Sequence, residues 1–517
     1  MDSENKKAKL PQIIQGGMGI GVSGWRLASE VSGLGQLGVV SGVGVDSLLA
    51  RRLQAGDPDK TLRFALEKFP YQQVVKRALK KYYKATGLSN NAPYRLVPRP
   101  SLDCDPLRTE FTVLANFVEV TLARHGHDGL IGINYLEKLQ MTTPAAVYGA
   151  MLAGVDFILM GAGIPSEIPQ LIRDFSDGKT GKIPVGIASM SDNEQAPAGE
   201  SDEIHKSRVF LDPGLSFGAN PKLKRPKFLA IISSNSLAGF LSRNPLTRPD
   251  GFVVESHVAG GHSARPRGRM NLDDNGEPIY GARDDTDVAS LKDIGLPFWL
   301  AGGCASHESL QDALAQGASG IQVGSAFALC RESEIMPEIK KGIISGYLSG
   351  NLEVLADPEA SPTGFPIKVA QLPETLGDKI VYAKRERICD VGYLRTPFLD
   401  KKGKIRYRCP AEPVEDYTEK GGKDTETKNK VCLCNGLLAT VGWGQRRRNE
   451  GNEEPVVTIG KDLSFLKDIV AKYGQEYSAK DVVAYLLAKE SHVTASKSED
   501  ISKTFLGISK PAMANII

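Results

Sequence analysis

The chain has 517 residues, 41% hydrophobic and 24% charged, which is ordinary globular composition and enough length for one large α/β domain with additions. Its 64 Lys and Arg against 61 Asp and Glu leave a net charge of +3, too balanced for nucleic-acid binding through bulk charge. Seven cysteines, no apolar core in the opening MDSENKKAKLPQ and no run of the ~18 apolar residues that span a bilayer point to the cytoplasm, not to secretion or a membrane.

Short apolar runs recur, many followed by glycine and then a helical pattern. They are PQIIQ (11–15), QLGVVSGVGV (36–45), LIGINYLE (130–137), VDFILMGAGIP (155–165), FLAIISSNS (228–236), GFVVESHVAGGH (251–262), PFWLAGGCAS (297–306) and GIQVGSAFAL (320–329). Between them lie helix-like stretches: SGWRLASEVSGLG (23–35), TPAAVYGAMLAG (143–154), PSEIPQLIRDFSDG (165–178) and SHESLQDALAQG (306–317). Strand, glycine loop and helix in repetition mean parallel βα units, and eight of them predict a TIM (β/α)8 barrel over residues 10–335. The runs are continuously apolar, as expected of strands buried on both faces.

Three stretches fall outside the eight units. An insertion at about 57–120 contains FALEKFPYQQVVKRALKKYY, which reads as an amphipathic helix. A polar, Gly- and Pro-containing insertion at about 179–227 holds IPVGIAS (183–189), a candidate added strand. Residues 336–517 read as a C-terminal α+β extension: loops with short strands forming a small β subdomain, then terminal helices such as SAKDVVAYLLAKE (478–490). The basic run Gln445-Arg446-Arg447-Arg448 reads as a solvated loop.

Chemistry in such a barrel sits at the C-terminal ends of the strands. Those ends read QGGMG, INY, MGAG, SSN, AGGH, AGGC and VGSAF, all small or polar, which leaves room for a large flat ligand against the backbone. The loops after the seventh and eighth strands are where barrels bind phosphate through backbone N–H groups. Gly302 and Gly303 would allow close approach, Ser306 would cap the following helix, and Gly324 and Ser325 would complete the cradle. Tight turns alone would also account for each glycine singly; their order favours a phosphate. A phosphate at that end, with no GxGxxG opening a nucleotide-binding βαβ unit, fits FMN.

QGGMGIGVSGWRLASEVSGLGQLGVVSG, IGINYL, AGGH, PFWLAGGCAS and VGSAF together resemble the nitronate monooxygenase family, formerly 2-nitropropane dioxygenases, and in particular a long-chain branch of it. The FMN-type enoyl-acyl-carrier-protein reductases share these motifs. The resemblance implies an FMN-containing barrel that oxidises alkyl nitronates with dioxygen. It places Gly17, Met18 and Gly19 against the flavin ring, Asn134 on it as a hydrogen-bonding partner, and Glu255 near the cofactor. Gly260, Gly261, Gly302, Gly303, Gly324 and Ser325 would hold ribityl and phosphate, and His262 would face the substrate. Strand five departs from the pattern, reading AIISSNS where several members carry another polar residue, and Ser233 is the candidate there. The resemblance also leaves open a reductase that draws on NAD(P)H and acts on an enoyl thioester or quinone, a flavin-binding protein without turnover, and a homodimer.

A histidine can be cationic for anion binding or neutral as a base toward the α-proton of a nitroalkane. His262 is the candidate for either role, while His257, His125 and His127 read as structural. Arg265, Arg267 and Arg269 in the following charged stretch read as a solvated flap, with contact to an anionic substrate or a nicotinamide phosphate as the alternative. Cys389, Cys409, Cys432 and Cys434 fall close together, either as structural zinc ligands or as buried free thiols. Their spacing is irregular, so no metal is assigned.

Overall fold

A computed structural model describes residues 10–89, 92–189, 205–447 and 451–489. Eight strands form one parallel sheet: β1 (Ile13–Gln15), β2 (Gly38–Ser41), β3 (Ile131–Leu136), β4 (Phe157–Gly161), β5 (Lys227–Ile232), β6 (Gly251–Glu255), β7 (Phe298–Ala301) and β8 (Gly320–Val323). Each neighbours the next in chain order, and β8 pairs with β1. The ring closes between β1 and the entry to β2. There Ile14 bridges Leu37, the Gln15 N–H donates to the Leu37 carbonyl at 3.0 Å, and the Leu37 N–H donates to the Ile13 carbonyl at 3.1 Å. The expected (β/α)8 barrel is the fold.

Strand alternation sorts the apolar residues into two layers. Ile14, Leu37, Val39, Phe157, Leu159, Leu229, Val253, Trp299 and Ala301 pack together inside the barrel. Their alternates Ile13, Ile133, Ile158, Ala230, Phe252 and Phe298 belong to the larger core between strands and helices. Trp299 is fully buried, and its indole N–H donates to the Pro11 carbonyl at 2.8 Å. This filled floor leaves the C-terminal ends of the strands as the place for a ligand.

The helix expected across the first insertion is two helices, Thr61–Lys68 and Gln72–Tyr82. Pro70 separates them: it lacks an N–H and drives the preceding Phe69 to an extended ψ of 126°. The insertion is anchored to the barrel by charge. Arg52, in the helix Val45–Gln54, contacts Glu119 of the helix Pro106–Ala123 at 2.9 Å and Glu334 beyond β8 at 2.6 Å, with all three side chains largely buried.

IPVGIAS lies in a strand, Gly181–Ser189, that pairs antiparallel with His205–Leu211. The extension adds to that sheet: Phe398 and Leu399 of the strand Thr396–Leu399 pair with Ala188 and Ser189. Beyond residue 340 the chain is more helical than its loop-like pattern indicated, with Lys379–Lys384, Val414–Glu419, Leu433–Thr440 and Phe465–Tyr473 all helical. Helices of two turns are too short to show a clear period. The run at 445–448 is not a solvated loop where it is described: Arg446 lies over the Tyr94 ring at 4.6 Å, and Arg447 pairs with Glu453 at 2.6 Å and Asp390 at 3.1 Å. Arg448 and the opening MDSENKKAK lie outside the described residues. Among the described residues no helix is long and apolar enough to cross a membrane.

Candidate active site

The inward register of the floor continues upward. Two residues beyond Val253 stands Glu255, and Asn134 and Ser233 follow the inward positions of β3 and β5. Asn134 donates its amide N–H to the Gly17 carbonyl at 3.1 Å, which ties the loop after β1 to β3. Its Oδ1 is buried without a hydrogen-bond partner, and so is Oε1 of Gln322 on β8. Buried polar atoms are usually hydrogen-bonded, and these two sit at inward positions of their strands toward the open end of the barrel.

The glycines flanking this layer are constrained by space or dihedral. A Cβ on Gly17 would stand 2.4 Å from Cβ of Asn134, so only glycine lets these two backbones approach. Gly302 and Gly303 both adopt left-handed conformations, φ +88° and +72°, and a Cβ on Gly302 would meet Ser256 Oγ at 2.4 Å. The loop after β1 is shaped from below, where Ser23 Oγ accepts from the Met18 N–H at 3.0 Å and donates to the Gly16 carbonyl at 3.0 Å. Ser306 caps the helix His307–Ala315 by accepting from the Ser309 N–H at 3.0 Å, as its position predicts.

The extension completes the mouth. Its hairpin β9 (Val354–Asp357) and β10 (Ile367–Ala370) crosses the Gly260-Gly261-His262 loop. His262 bridges Ile367, the Lys368 N–H donates to the Gly261 carbonyl at 3.0 Å, and the Ser263 N–H donates to the Pro366 carbonyl at 3.0 Å. On the other side the Gly460 N–H donates to Ser325 Oγ at 3.0 Å. A Cβ on Gly460 would stand 2.8 Å from that same oxygen.

His262 Nε2 lies 2.7 Å from Ser361 Oγ, which also contacts Thr363 Oγ1 at 2.8 Å. Burial, and then the Lys368 ammonium, push the imidazole down to about 4, so His262 is neutral at pH 7. Burial pushes the Glu255 carboxyl up to about 7, against the opposing pull of Lys368. Both residues remain partly accessible although protein surrounds them, as befits the lining of a concave mouth. A neutral imidazole offers a lone pair and no positive charge.

The remaining candidates lie apart. His257 stacks on Tyr280 with centroids 4.5 Å apart. His127 Nε2 contacts the Ala123 carbonyl, below the entry to β3. The Arg265 guanidinium is held by the Gly364 carbonyl at 2.8 Å, and Arg267 and Arg269 are exposed. Cys409, Cys432 and Cys434 are buried, Cys389 partly so, all as free thiols that burial pushes up. Among the described residues no three His, Cys, Asp or Glu stand where they could hold a metal. A cavity beside the mouth is lined by Gly42, Asp46, Thr112, Tyr135 and Tyr393. Its acid is already bound by Arg108, Thr112 and Tyr393, which makes it a structural group. Sequence reading missed Gln322 and Lys368. Each is a polar residue inside an otherwise apolar strand, IQV and IKVA, and that interruption was the available signal.

Residues 225–350 match the family model described as nitronate monooxygenase. A probable nitronate monooxygenase of Bacillus subtilis (strain 168) is 36% identical over 95 residues, which are 18% of this chain and 26% of that protein. The chain thus matches about a quarter of that relative's length. FabK from Thermotoga maritima aligns over 92% of both chains at 15% identity and a TM-score of 0.43. A nitroalkane oxidase from Streptomyces ansochromogenes aligns over 93% of this chain and 95% of its own at 14% identity and a TM-score of 0.39. The barrel rests on its own strand order, not on these two likenesses. The 225–350 segment, which carries β5 to β8, Glu255, the Gly-Gly-His loop and both candidate phosphate loops, is the part of this chain that is similar to the nitronate monooxygenase family.

Proposed function

We propose that the protein is an FMN-dependent oxidoreductase of the nitronate monooxygenase type, oxidising small alkyl nitronates with dioxygen in the cytoplasm. One observation carries the reading. Above an apolar floor, the unpartnered amide oxygens of Asn134 and Gln322 stand with Glu255 inside a ring of loops that offer backbone and little side chain. That arrangement fits a flat heterocycle with polar edges and a phosphate tail. The family match over residues 225–350 supports the electron chemistry.

FMN, when bound, supplies electron transfer from the substrate and the reaction with dioxygen. The chain's own residues bind and orient. The amides of Asn134 and Gln322 would meet the ring's polar edge, with Gly17, Met18 and Gly19 against its face and Ser233 and Glu255 beside it. Backbone N–H groups of Gly302, Gly303, Gly324 and Ser325 would hold the phosphate, and Gly260 and Gly261 the ribityl chain. His262, neutral and held by Ser361, takes the α-proton of a neutral nitroalkane at an imidazole nitrogen. A preformed nitronate lacks that proton and does not need the step.

The test is to confirm bound flavin in the purified protein by its visible spectrum and then to mix it anaerobically with propionate 3-nitronate and, separately, with NADH or NADPH. Bleaching of the visible flavin absorbance by the nitronate, with the nicotinamides inert, is expected. Bleaching by a nicotinamide alone would overturn the reading in favour of an enoyl-thioester or quinone reductase.

A further inference from the structure

Lys368 is fully buried, and its Nζ has no hydrogen-bond partner. Its place explains how it is held there. On β10 the neighbours Ile367 and Val369 pack on one side, in an apolar cluster with Ala360, Val431 and Val456. Strand alternation turns Lys368 to the other side, toward the barrel. Its own N–H is fixed to the Gly261 carbonyl at 3.0 Å, and the adjacent Ile367 bridges His262. The backbone of β10 therefore cannot slide without breaking its contact with the Gly-Gly-His loop.

The charged groups that face Lys368 are Glu255 at the end of β6, His262 in the loop after it, and the pair Lys461 and Glu277. Lys461 Nζ holds both carboxylate oxygens of Glu277, at 2.6 and 2.8 Å, so that pair neutralises itself. His262 is neutral at pH 7. Glu255 is the remaining acid, and its own burial favours the protonated form. The same burial pushes the Lys368 ammonium down to about 8, opposed by Glu255, so it is still charged at pH 7, and a buried charge with no hydrogen-bonded partner is costly unless a ligand supplies one.

We propose that Lys368 is the anion-binding residue of the barrel mouth: its ammonium receives the charged oxygens of a small monoanionic substrate, the nitronate or an isosteric carboxylate. This rests on the reading of the mouth as the site of a flavin oxidoreductase, and it assigns the charge recognition to the extension, not to the barrel. The exposed Arg265, Arg267 and Arg269 do not offer the same fixed, desolvated charge. A nitronate presents two oxygens sharing one negative charge, and a lysine without other obligations can meet either of them.

Propionate is the probe, with propionamide as its neutral counterpart. Their affinities are measured by calorimetry on the protein as purified and on Lys368→Met and Lys368→Arg. The expected result is at least tenfold weaker propionate binding in Lys368→Met, a smaller loss in Lys368→Arg, and unchanged weak binding of propionamide. Propionate should also raise the melting temperature of the wild type and not that of Lys368→Met. Removing an unpaired buried charge should leave Lys368→Met folded, with a melting temperature equal to or above the wild type. Equal propionate affinity in wild type and Lys368→Met would overturn the proposal. Absence of flavin from all three proteins would overturn the functional reading instead, while the propionate comparison would still decide the role of Lys368.

Discussion

The imidazole of His262, on the barrel loop after β6, lies 2.7 Å from the hydroxyl of Ser361, which belongs to the C-terminal extension. The candidate base is thus oriented by a part of the chain outside the barrel. His262→Asn should lower turnover of neutral nitroalkanes by about 10²–10⁴-fold, the usual worth of a general base, and leave a preformed nitronate much less affected. Ser361→Ala should give the same selective effect at about tenfold, as expected for loss of an orienting hydrogen bond. Steady-state rates on nitroethane against ethylnitronate check both.

Two opposite pKa shifts in one mouth predict two opposite effects of pH on stability. The folded protein holds His262 near 4, below the usual imidazole value, so between pH 6.5 and 4 it binds fewer protons than the unfolded chain. Stability is lost as pH falls through that window. Glu255 is held near 7, so the folded protein binds more protons than the unfolded chain between pH 4.5 and 7, and stability is lost as pH rises. His262→Gln should therefore gain on the wild type at low pH and Glu255→Gln above pH 7, each by on the order of 2 kcal/mol. Urea melts at pH 4.5 and 8 measure this.

Gly302→Ala should remove the cofactor without unfolding the barrel. The new Cβ would face Ser256 Oγ at 2.4 Å in a backbone with φ +88°, so the loop after β7 must move. A strain of about 1–3 kcal/mol is expected, concentrated in a surface loop. The measurement is flavin content per chain beside circular dichroism, with the flavin expected to fall and the helical signal to stay.

Arg52→Ala should destabilise the protein by about 3–5 kcal/mol, because it leaves Glu119 and Glu334 buried with no cation between them. Thermal unfolding reports the loss. Arg52→Met should cost about as much, since it restores volume and not charge.

The parts legible in the sequence were those set by local pattern. Continuous apolar runs, many of them followed by glycine, marked all eight barrel strands, and Ser306 just before a helical pattern marked a helix cap. Asn134 and Glu255 were found by motif, and the strand register then turned both into the mouth. What escaped depends on contacts between distant segments. Nothing near residue 52 announces carboxylates at 119 and 334, and nothing near 361 announces a histidine at 262. Lys368 reads locally as one charge in an ordinary strand, and only the crossing of β10 over the Gly-Gly-His loop buries it.

The most direct measurement is the identity and amount of cofactor in the purified protein, by visible spectrum and by mass of the molecule released on denaturation. The account predicts FMN at about one per chain, retained in His262→Asn and lost in Gly302→Ala. A protein that neither carries nor takes up FMN, or one that binds FAD instead, would contradict it.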